Sequence, residues 1–180
     1  MDRDADSDSA AGRLRRYEPR DREAVWDLHR TALREAGSNP EDVPDNDDIR
    51  DIEGNYLDAG GEFLVVELPG DGGGTETADG EVVAIGGLAV DGEDIPADAS
   101  ELLRIAVHPD HQRAGYGTRV VAGLEDAARE RGLDRVVLWT AQRQRSAVRF
   151  YRARGYEGTD HRTEGEYELI RFEKALDGAD

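Results

Sequence analysis

The stretch Leu102-Leu-Arg-Ile-Ala-Val-His-Pro-Asp-His-Gln-Arg-Ala-Gly-Tyr-Gly-Thr118 joins an apolar β-type run to a glycine-spaced helix start. Its spacing predicts a strand ending at Val107, a short turn that begins with Pro109, and a helix opening near Gly115. The N–H groups of a helix's first turn have no intrahelical partner, and the helix dipole places partial positive charge on them. Such a turn receives anions. Gly115 and Gly117 remove side chains, so a phosphate can reach the backbone, while Arg113 and Arg119 add formal charge. The same pattern also reads as a glycine-rich helix start that holds nothing. Two phosphate loops are excluded. A P-loop needs Gly-Lys-Ser/Thr, and the only lysine is Lys174. A dinucleotide fingerprint needs a third small residue where Val120 stands. It also needs an acid roughly 20 residues on at a strand end, where the chain reads Val137-Leu-Trp.

Charge distribution points the same way. The 180-residue chain has 41 acidic and 23 basic residues, a net charge of −18. Yet Ala141 to Arg154 holds five arginines (143, 145, 149, 152 and 154) and no acid. A cationic island in an acidic chain fits an anionic ligand. It equally fits arginines paired with the acidic surface.

The run Gln112-Arg-Ala-Gly-Tyr-Gly117 after Ala106-Val-His-Pro109 resembles the Gln/Arg-x-x-Gly-x-Gly/Ala signature of the GCN5-related N-acetyltransferases. Ser146-Ala-Val-Arg-Phe-Tyr-Arg-Ala-Arg-Gly-Tyr156 is similar to that family's later helix ending Tyr-x-x-x-Gly-Phe/Tyr. The resemblance spans about Arg13 to Lys174. It implies an acyl-CoA, usually acetyl-CoA, as co-substrate, with no metal. Its pyrophosphate would lie on the amides of Gln112, Arg113, Ala114, Gly115, Tyr116, Gly117 and Thr118. Its pantetheine arm would run beside Ile105, Ala106 and Val107. Tyr151 occupies the family position from which a hydroxyl reaches the sulfur; the other reading is a packing aromatic beside Phe150. Glu101 matches a position that serves some members as general base; the other reading is a solvent-facing charge. The Val107 N–H would meet the oxyanion. Gln144 stands where the family often carries Asn, one methylene shorter, which puts its cofactor contact in doubt. A homodimer is a family-level expectation.

These residues need elements to hold them. Arg13 to Tyr17 reads as a strand broken by Pro19. Asp21 can cap a helix carrying Val25, Leu28, Ala32 and Leu33 at helical spacing, ended by Gly37. Ser38 to Pro44 is a turn-rich connection. Asp45 can cap a second helix with Ile49, Ile52 and Tyr56 on one face, closed by Gly60 and Gly61. Phe63 to Leu68 and Glu81 to Val90 read as antiparallel strands joined by the glycine-rich loop from Pro69 to Gly80. Gly86 and Gly87 predict a bulge or a close backbone approach. After the acidic loop from Asp91 to Ser100 comes the strand from Glu101 to Val107. A helix from Gly115 to Arg131 shows Val120, Val121, Leu124, Ala127 and Ala128 as its apolar stripe. Arg135 to Thr140 is a buried-looking strand, Ser146 can cap a short helix to Arg154, and two strands follow, near Tyr156 and from Tyr167 to Phe172. The fold expected is α/β: a mixed, mostly antiparallel sheet of six to seven strands flanked by about four helices. Residues 1–12 are expected to be a disordered acidic tail and 13–176 a single domain.

Composition bounds the rest. The acidic balance argues against nucleic acid or an anionic membrane as partner. An acidic surface nearly free of lysine fits a salt-rich cytoplasm, where hydrated carboxylates keep the chain dissolved; the other reading is an ordinary acidic protein. There is no cysteine, which removes disulfides, thiolate zinc sites and a cysteine nucleophile. No apolar run reaches the length of a membrane span, and the N-terminus lacks a signal-peptide core, so a cytoplasmic protein is expected. His108 and His111 lie in a turn without further spaced ligands and read as surface residues. His29 and His161 have no assigned role. Trp26 and Trp139 read as core, and Ser146 as a helix cap rather than a nucleophile. The function expected is acetyl transfer to a primary amine of unspecified identity by direct attack. The alternative is a non-catalytic acyl-CoA sensor or interaction module, and a third reading is a fold relative that binds no CoA.

Overall fold

The computed structural model describes residues 12–38, 46–69 and 80–177. The tail, the Ser38–Pro44 turn, the Asp45 cap and the loop before Gly80 lie outside the described residues, apart from their ends. The described chain runs β1 (Arg13–Arg16), a 3-10 turn (Pro19–Asp21), α1 (Arg22–Glu35), α2 (Asp47–Arg50) and a turn of π helix (Glu53–Leu57). It continues through β2 (Glu62–Leu68), β3 (Glu81–Ala89), β4 (Ala99–Val107), a 3-10 turn (Pro109–His111) and α3 (Tyr116–Glu130). It ends with β5 (Arg135–Ala141), α4 (Arg145–Ala153), β6 (Glu157–Glu164) and β7 (Tyr167–Ala175). The seven strands form one sheet in the order β1-β2-β3-β4-β5-β7-β6. Only β4 and β5 pair in parallel. The expected mixed, mostly antiparallel architecture is observed.

Two apolar layers sandwich the sheet. On one face all five predicted α3 residues, Val120, Val121, Leu124, Ala127 and Ala128, are buried with Leu102, Leu138, Ile170 and Phe172. On the other, Val25 and Leu28 of α1 pack with Ile49, Ile52, Tyr56 and Phe63. Strand β3 lies mid-sheet and every residue from 82 to 88 is buried. Gly86 and Gly87 are needed there. A Cβ on Gly86 would come within 2.5 Å of Val120, and one on Gly87 within 2.6 Å of Tyr56. The two glycines thus let α3 and the π turn close on opposite faces of one strand.

The bulge expected at these glycines exists, but its extra residue is on β4. Ile85 pairs with Ala106 and Gly87 with Leu103, so Gly86 opposes both Arg104 and Ile105. Arg104 takes φ +59°, unusual for a side-chain-bearing residue.

Three local expectations change. Asp21 does not cap α1 through its side chain. Its carboxylate accepts from the Arg15 guanidinium at 2.7 and 2.8 Å and from the Glu18 N–H at 2.8 Å. A buried carboxylate is better matched by a guanidinium fork than by one amide. The second helix breaks at Asp51 into α2 and the π turn, although Ile49, Ile52 and Tyr56 share one core layer as expected. Ser146 lies inside α4; Gln144 is its N-cap residue, without a side-chain capping bond.

Candidate active site

The parallel ladder between β4 and β5 covers only Ala99↔Arg135, Ser100↔Val136 and Glu101↔Val137. Both strands continue, β4 to Val107 and β5 to Ala141. Beyond Glu101 they part, and the β5-side edge of β4 at Ile105, Ala106 and Val107 faces a gap. Backbone groups at an unpaired edge are ready to pair with another extended chain.

The gap opens at the turn before α3. The His108 N–H still bonds to the Val83 carbonyl at 2.8 Å, and His111 N–H to the His108 carbonyl at 2.9 Å. Among the described residues the N–H groups of Gln112, Arg113, Ala114, Gly115, Tyr116, Gly117 and Thr118 donate no hydrogen bond, and the first helical one is Arg119 N–H to Gly115 at 3.1 Å. Residues 112–115 are exposed. Arg113 (φ +66°) and Gly115 (φ +86°) both take left-handed conformations. Gly115 is required by its backbone angle, since a Cβ there would meet nothing within 4 Å. Gly117 is different: a Cβ would sit 3.4 Å from Phe150 and Val107, which is ordinary contact. The expected charge from Arg119 is partly diverted, because its Nη1 donates to the Gly12 carbonyl at 3.0 Å. Arg154 of the arginine island instead reaches this turn. Its guanidinium donates to Thr118 Oγ1 and stacks 3.6 Å over Phe150.

Tyr151 sits on α4 with its ring 5.1 Å from Phe150 and 5.6 Å from Tyr156. It is 7% exposed, and its hydroxyl makes no hydrogen bond to any described residue. Burial pushes its pKa above the ordinary tyrosine value, against a smaller lowering by Arg154, so it holds its proton. Glu101 is the last paired residue of β4 next to the gap. Burial raises its pKa, Asp94 adds to that, and Arg162 and Arg171 oppose it. Leu102 belongs to the α3/α4 layer and Leu103 to the other, so Glu101 faces the α1/α2 side while Tyr151 lies on the α3/α4 side. The two candidates lie on opposite faces of the sheet. Gln144 accepts from Thr140 Oγ1 at 3.2 Å, which occupies its carbonyl and leaves its amide nitrogen.

Sequence reading missed a polar cluster under α1 and α2. The Arg104 guanidinium donates to Asp48 at 2.6 and 3.0 Å, and Tyr56 donates to the same carboxylate at 2.5 Å. His29, buried, pairs with Asn46 Oδ1 at 3.0 Å, and burial lowers its pKa. The available signal was one charged residue, Arg104, inside an apolar strand. His108 and His111 reach Asp110 and Glu81 at 3.8 and 3.6 Å. Among the described residues no group of three or more His, Asp or Glu side chains is placed to hold a metal. Trp139 is half-buried with the Arg162 guanidinium 4.3 Å over its ring, and Trp26 lies at the edge of its layer under Arg50.

Residues 22–156 match the sequence model of a family described as Acetyltransferase (GNAT) family. The "Probable N-acetyltransferase family 8 member 5" of Mus musculus is 32% identical over 129 residues, 72% of this chain and 51% of that protein. The "N-acetyltransferase family 8 member 2" of Rattus norvegicus is 31% identical over 115 residues, 63% of this chain and 46% of that one. The chain therefore spans about half the length of these curated relatives. Among solved structures, a GNAT-family acetyltransferase of Staphylococcus aureus Mu50 superposes with a TM-score of 0.74 at 18% identity, covering 92% of this chain and 99% of that one. The yncA protein of Salmonella typhimurium, solved with its cofactor acetyl-CoA, gives 0.72 at 20% identity over 93% and 95%. At these identities the superpositions show the shared fold.

Proposed function

This chain belongs to the acetyltransferase (GNAT) family, and we propose that it moves an acetyl group from acetyl-CoA to a primary amine by direct attack. The observation that carries the reading is the gap between β4 and β5 ending at a turn whose N–H groups are unpaired. A slot edged by an extended strand and closed by an anion-receiving turn fits a long amide-bearing arm with a diphosphate at its end. When bound, acetyl-CoA supplies an activated thioester.

The chain's own groups then have three tasks. Glu101, with its raised proton affinity, takes the ammonium proton directly or through a water, leaving a nucleophilic nitrogen. The Val107 N–H meets the negative charge that develops on the carbonyl oxygen as the C–N bond forms. Tyr151 would give its proton to the sulfur as the C–S bond breaks, and its phenolate would take back the extra proton still carried by the new amide nitrogen. Arg113 and the amides from Gln112 to Thr118 hold the diphosphate, Ile105 to Val107 align the pantetheine, and the Gln144 amide nitrogen is available to it.

Two measurements test this. Calorimetry with acetyl-CoA should show saturable binding, and an amine panel should show CoA release. Tyr151→Phe should lower kcat by about 10²-fold with little change in acetyl-CoA Kd. Binding without release for any amine would select a sensor role. Full kcat in Tyr151→Phe across the pH range would remove that residue from the chemistry.

Setting belongs to the same proposal. The described residues contain no helix long and apolar enough to cross a membrane. With a net charge of −18 and a single lysine, we assign the chain to a salt-rich cytoplasm, acting on a small-molecule or protein amine rather than nucleic acid or membrane. A homodimer is part of this reading, and sedimentation at high salt tests it.

A further inference from the structure

The layer formed by α1, α2 and the π turn covers β2, β3 and β4, and none of its residues comes from β5, β6 or β7. Past Glu101 no described helix contributes a residue to a layer over that face. Arg171 lies there. Its neighbours along β7, Ile170 and Phe172, are buried in the opposite layer, so its side chain emerges on the Glu101 side. In register it stands next to Trp139 on β5 and Asp160 on β6.

Its guanidinium is placed unlike the other enclosed arginines. Arg104 and Arg171 have the same side-chain exposure, 20%. Arg104 grips Asp48 at 2.6 Å. Arg15 holds Asp21 and Glu67 at 2.7 Å each, and Arg135 holds Asp98 and Glu173 at 2.9 and 3.0 Å. Arg171 donates no hydrogen bond to any described residue. Among the described residues its one ion pair is with Glu173 at 3.9 Å, beyond hydrogen-bond reach, and that carboxylate is already engaged by Arg135. Asp160 accepts from its neighbour His161 N–H at 2.8 Å instead. The five donors of this half-buried guanidinium are thus hydrogen-bonded to no acceptor among the described residues and stand available to one from outside the chain. Arg162 walls the same place: it lies over Trp139 and forms ion pairs with Glu164 at 2.7 Å and Asp94 at 3.5 Å. Both arginines are close enough to Glu101 to act on its proton affinity.

We propose that Arg171 is the carboxylate-binding residue of the acceptor site, and that the acceptor is an amine bearing a carboxylate a few atoms away, an α-amino acid being the smallest instance. Glu101 receives the ammonium end and Arg171 the carboxylate end, which places the amine at the mouth of the β4–β5 gap. The planar fork of arginine suits a carboxylate in bidentate geometry. This assignment rests on the acetyl-transfer reading, and it selects among amines that the reading leaves open.

The test compares the standard α-amino acids with their primary amides, and with spermidine, as acceptors, following CoA release at high salt. The expected result is at least one amino acid with kcat/KM about 10-fold or more above its amide. Arg171→Gln should shrink that ratio to within about 3-fold by raising KM, and Arg171→Lys should restore part of it. Acetyl-CoA Kd, measured by calorimetry on each variant, shows that the fold and the cofactor side are intact. Amides or spermidine used as well as the acids, or an acid preference that survives Arg171→Gln, overturns the proposal. No acetylation of any amino acid while acetyl-CoA binds also overturns it and leaves the cofactor reading standing. Absence of acetyl-CoA binding in the unaltered chain removes both.

Discussion

At Gly115 and Gly117 two glycines of one motif are present for different physical reasons, and that difference is measurable. Gly115 has open space around it but a left-handed backbone; Gly117 has ordinary contacts and no positive φ. Gly115→Ala should therefore cost about 1–2 kcal/mol in the conformation that aims the turn's amides, weakening acetyl-CoA by about 10-fold in calorimetry. Gly117→Ala should change the same Kd by about 3-fold at most, since its Cβ would lie 3.4 Å from Phe150 and Val107. Equal losses at both positions would show that space, not backbone angle, governs the turn. Glu101 gives a second residue-level expectation. As a base it works only when deprotonated, and burial raises its pKa above the ordinary glutamate value. The kcat/KM profile should thus fall at a higher pH than an exposed carboxylate would dictate as the medium is acidified. In Glu101→Gln that acid limb should disappear and the rate should drop by about 10²-fold. An unchanged profile would pass the role to another group or to water.

At the scale of elements, the Asp48–Arg104 pair ties the helical cover to the bulge of β4. Arg104 is left-handed at that bulge, and the strand it distorts is the one whose edge lines the gap. Burial alone would raise the Asp48 pKa, but hydrogen bonds from Arg104 and Tyr56 outweigh it and the carboxyl lies below its ordinary value. A depressed carboxyl adds stability above its unfolded pKa, near 3.8, and loses it as pH falls through the lower folded value. Asp48→Asn should accordingly destabilise the chain at neutral pH by about 3 kcal/mol by removing the carboxylate that a mostly buried guanidinium grips at 2.6 and 3.0 Å, with a smaller difference in acid below the folded carboxyl's own lowered value. Chemical denaturation at the two pH values checks this; an equal loss at both would mean the ion pair is not its source. Arg104→Gly keeps the positive φ while removing the pair, so it separates backbone shape from charge. This cluster was not legible in the sequence, because it joins residues 56 positions apart through a bulge that only strand pairing defines. The turn at Gln112 to Thr118, the α3 stripe and the order of elements along the chain were legible because each is written in local spacing. Arg171 was read as a strand residue, but which face it takes depends on its register with Trp139.

Charge acts on the molecule as a whole. The described arginines engage carboxylates at many points, from Arg15 with Asp21 to Arg135 with Asp98, yet 41 acids against 23 bases leave most of the excess unpaired. Mutual repulsion among these carboxylates is relaxed when the chain unfolds, so it opposes the compact state. Screening shortens its reach from about 10 Å at 0.1 M salt to about 3 Å at 1 M. Salt should thus raise Tm, with most of the gain below about 1 M, where the screening length changes fastest. A gain of about 1–2 kcal/mol corresponds to about 2–8 °C for a domain of this size. On the proposed reading the cofactor responds in the opposite sense at the turn, where the amides and Arg113 would attract its phosphates through charge. That short-range attraction weakens with salt, so the dissociation rate should rise. With a net charge of −18 the field is the larger at long range, so screening should raise the association rate while the dissociation rate also rises. Differential scanning fluorimetry and stopped-flow binding at 0.1 and 1 M KCl separate these effects. A Tm that is flat in KCl, or that rises equally in isosmotic sorbitol, would show that repulsion among the carboxylates does not set the stability of this chain.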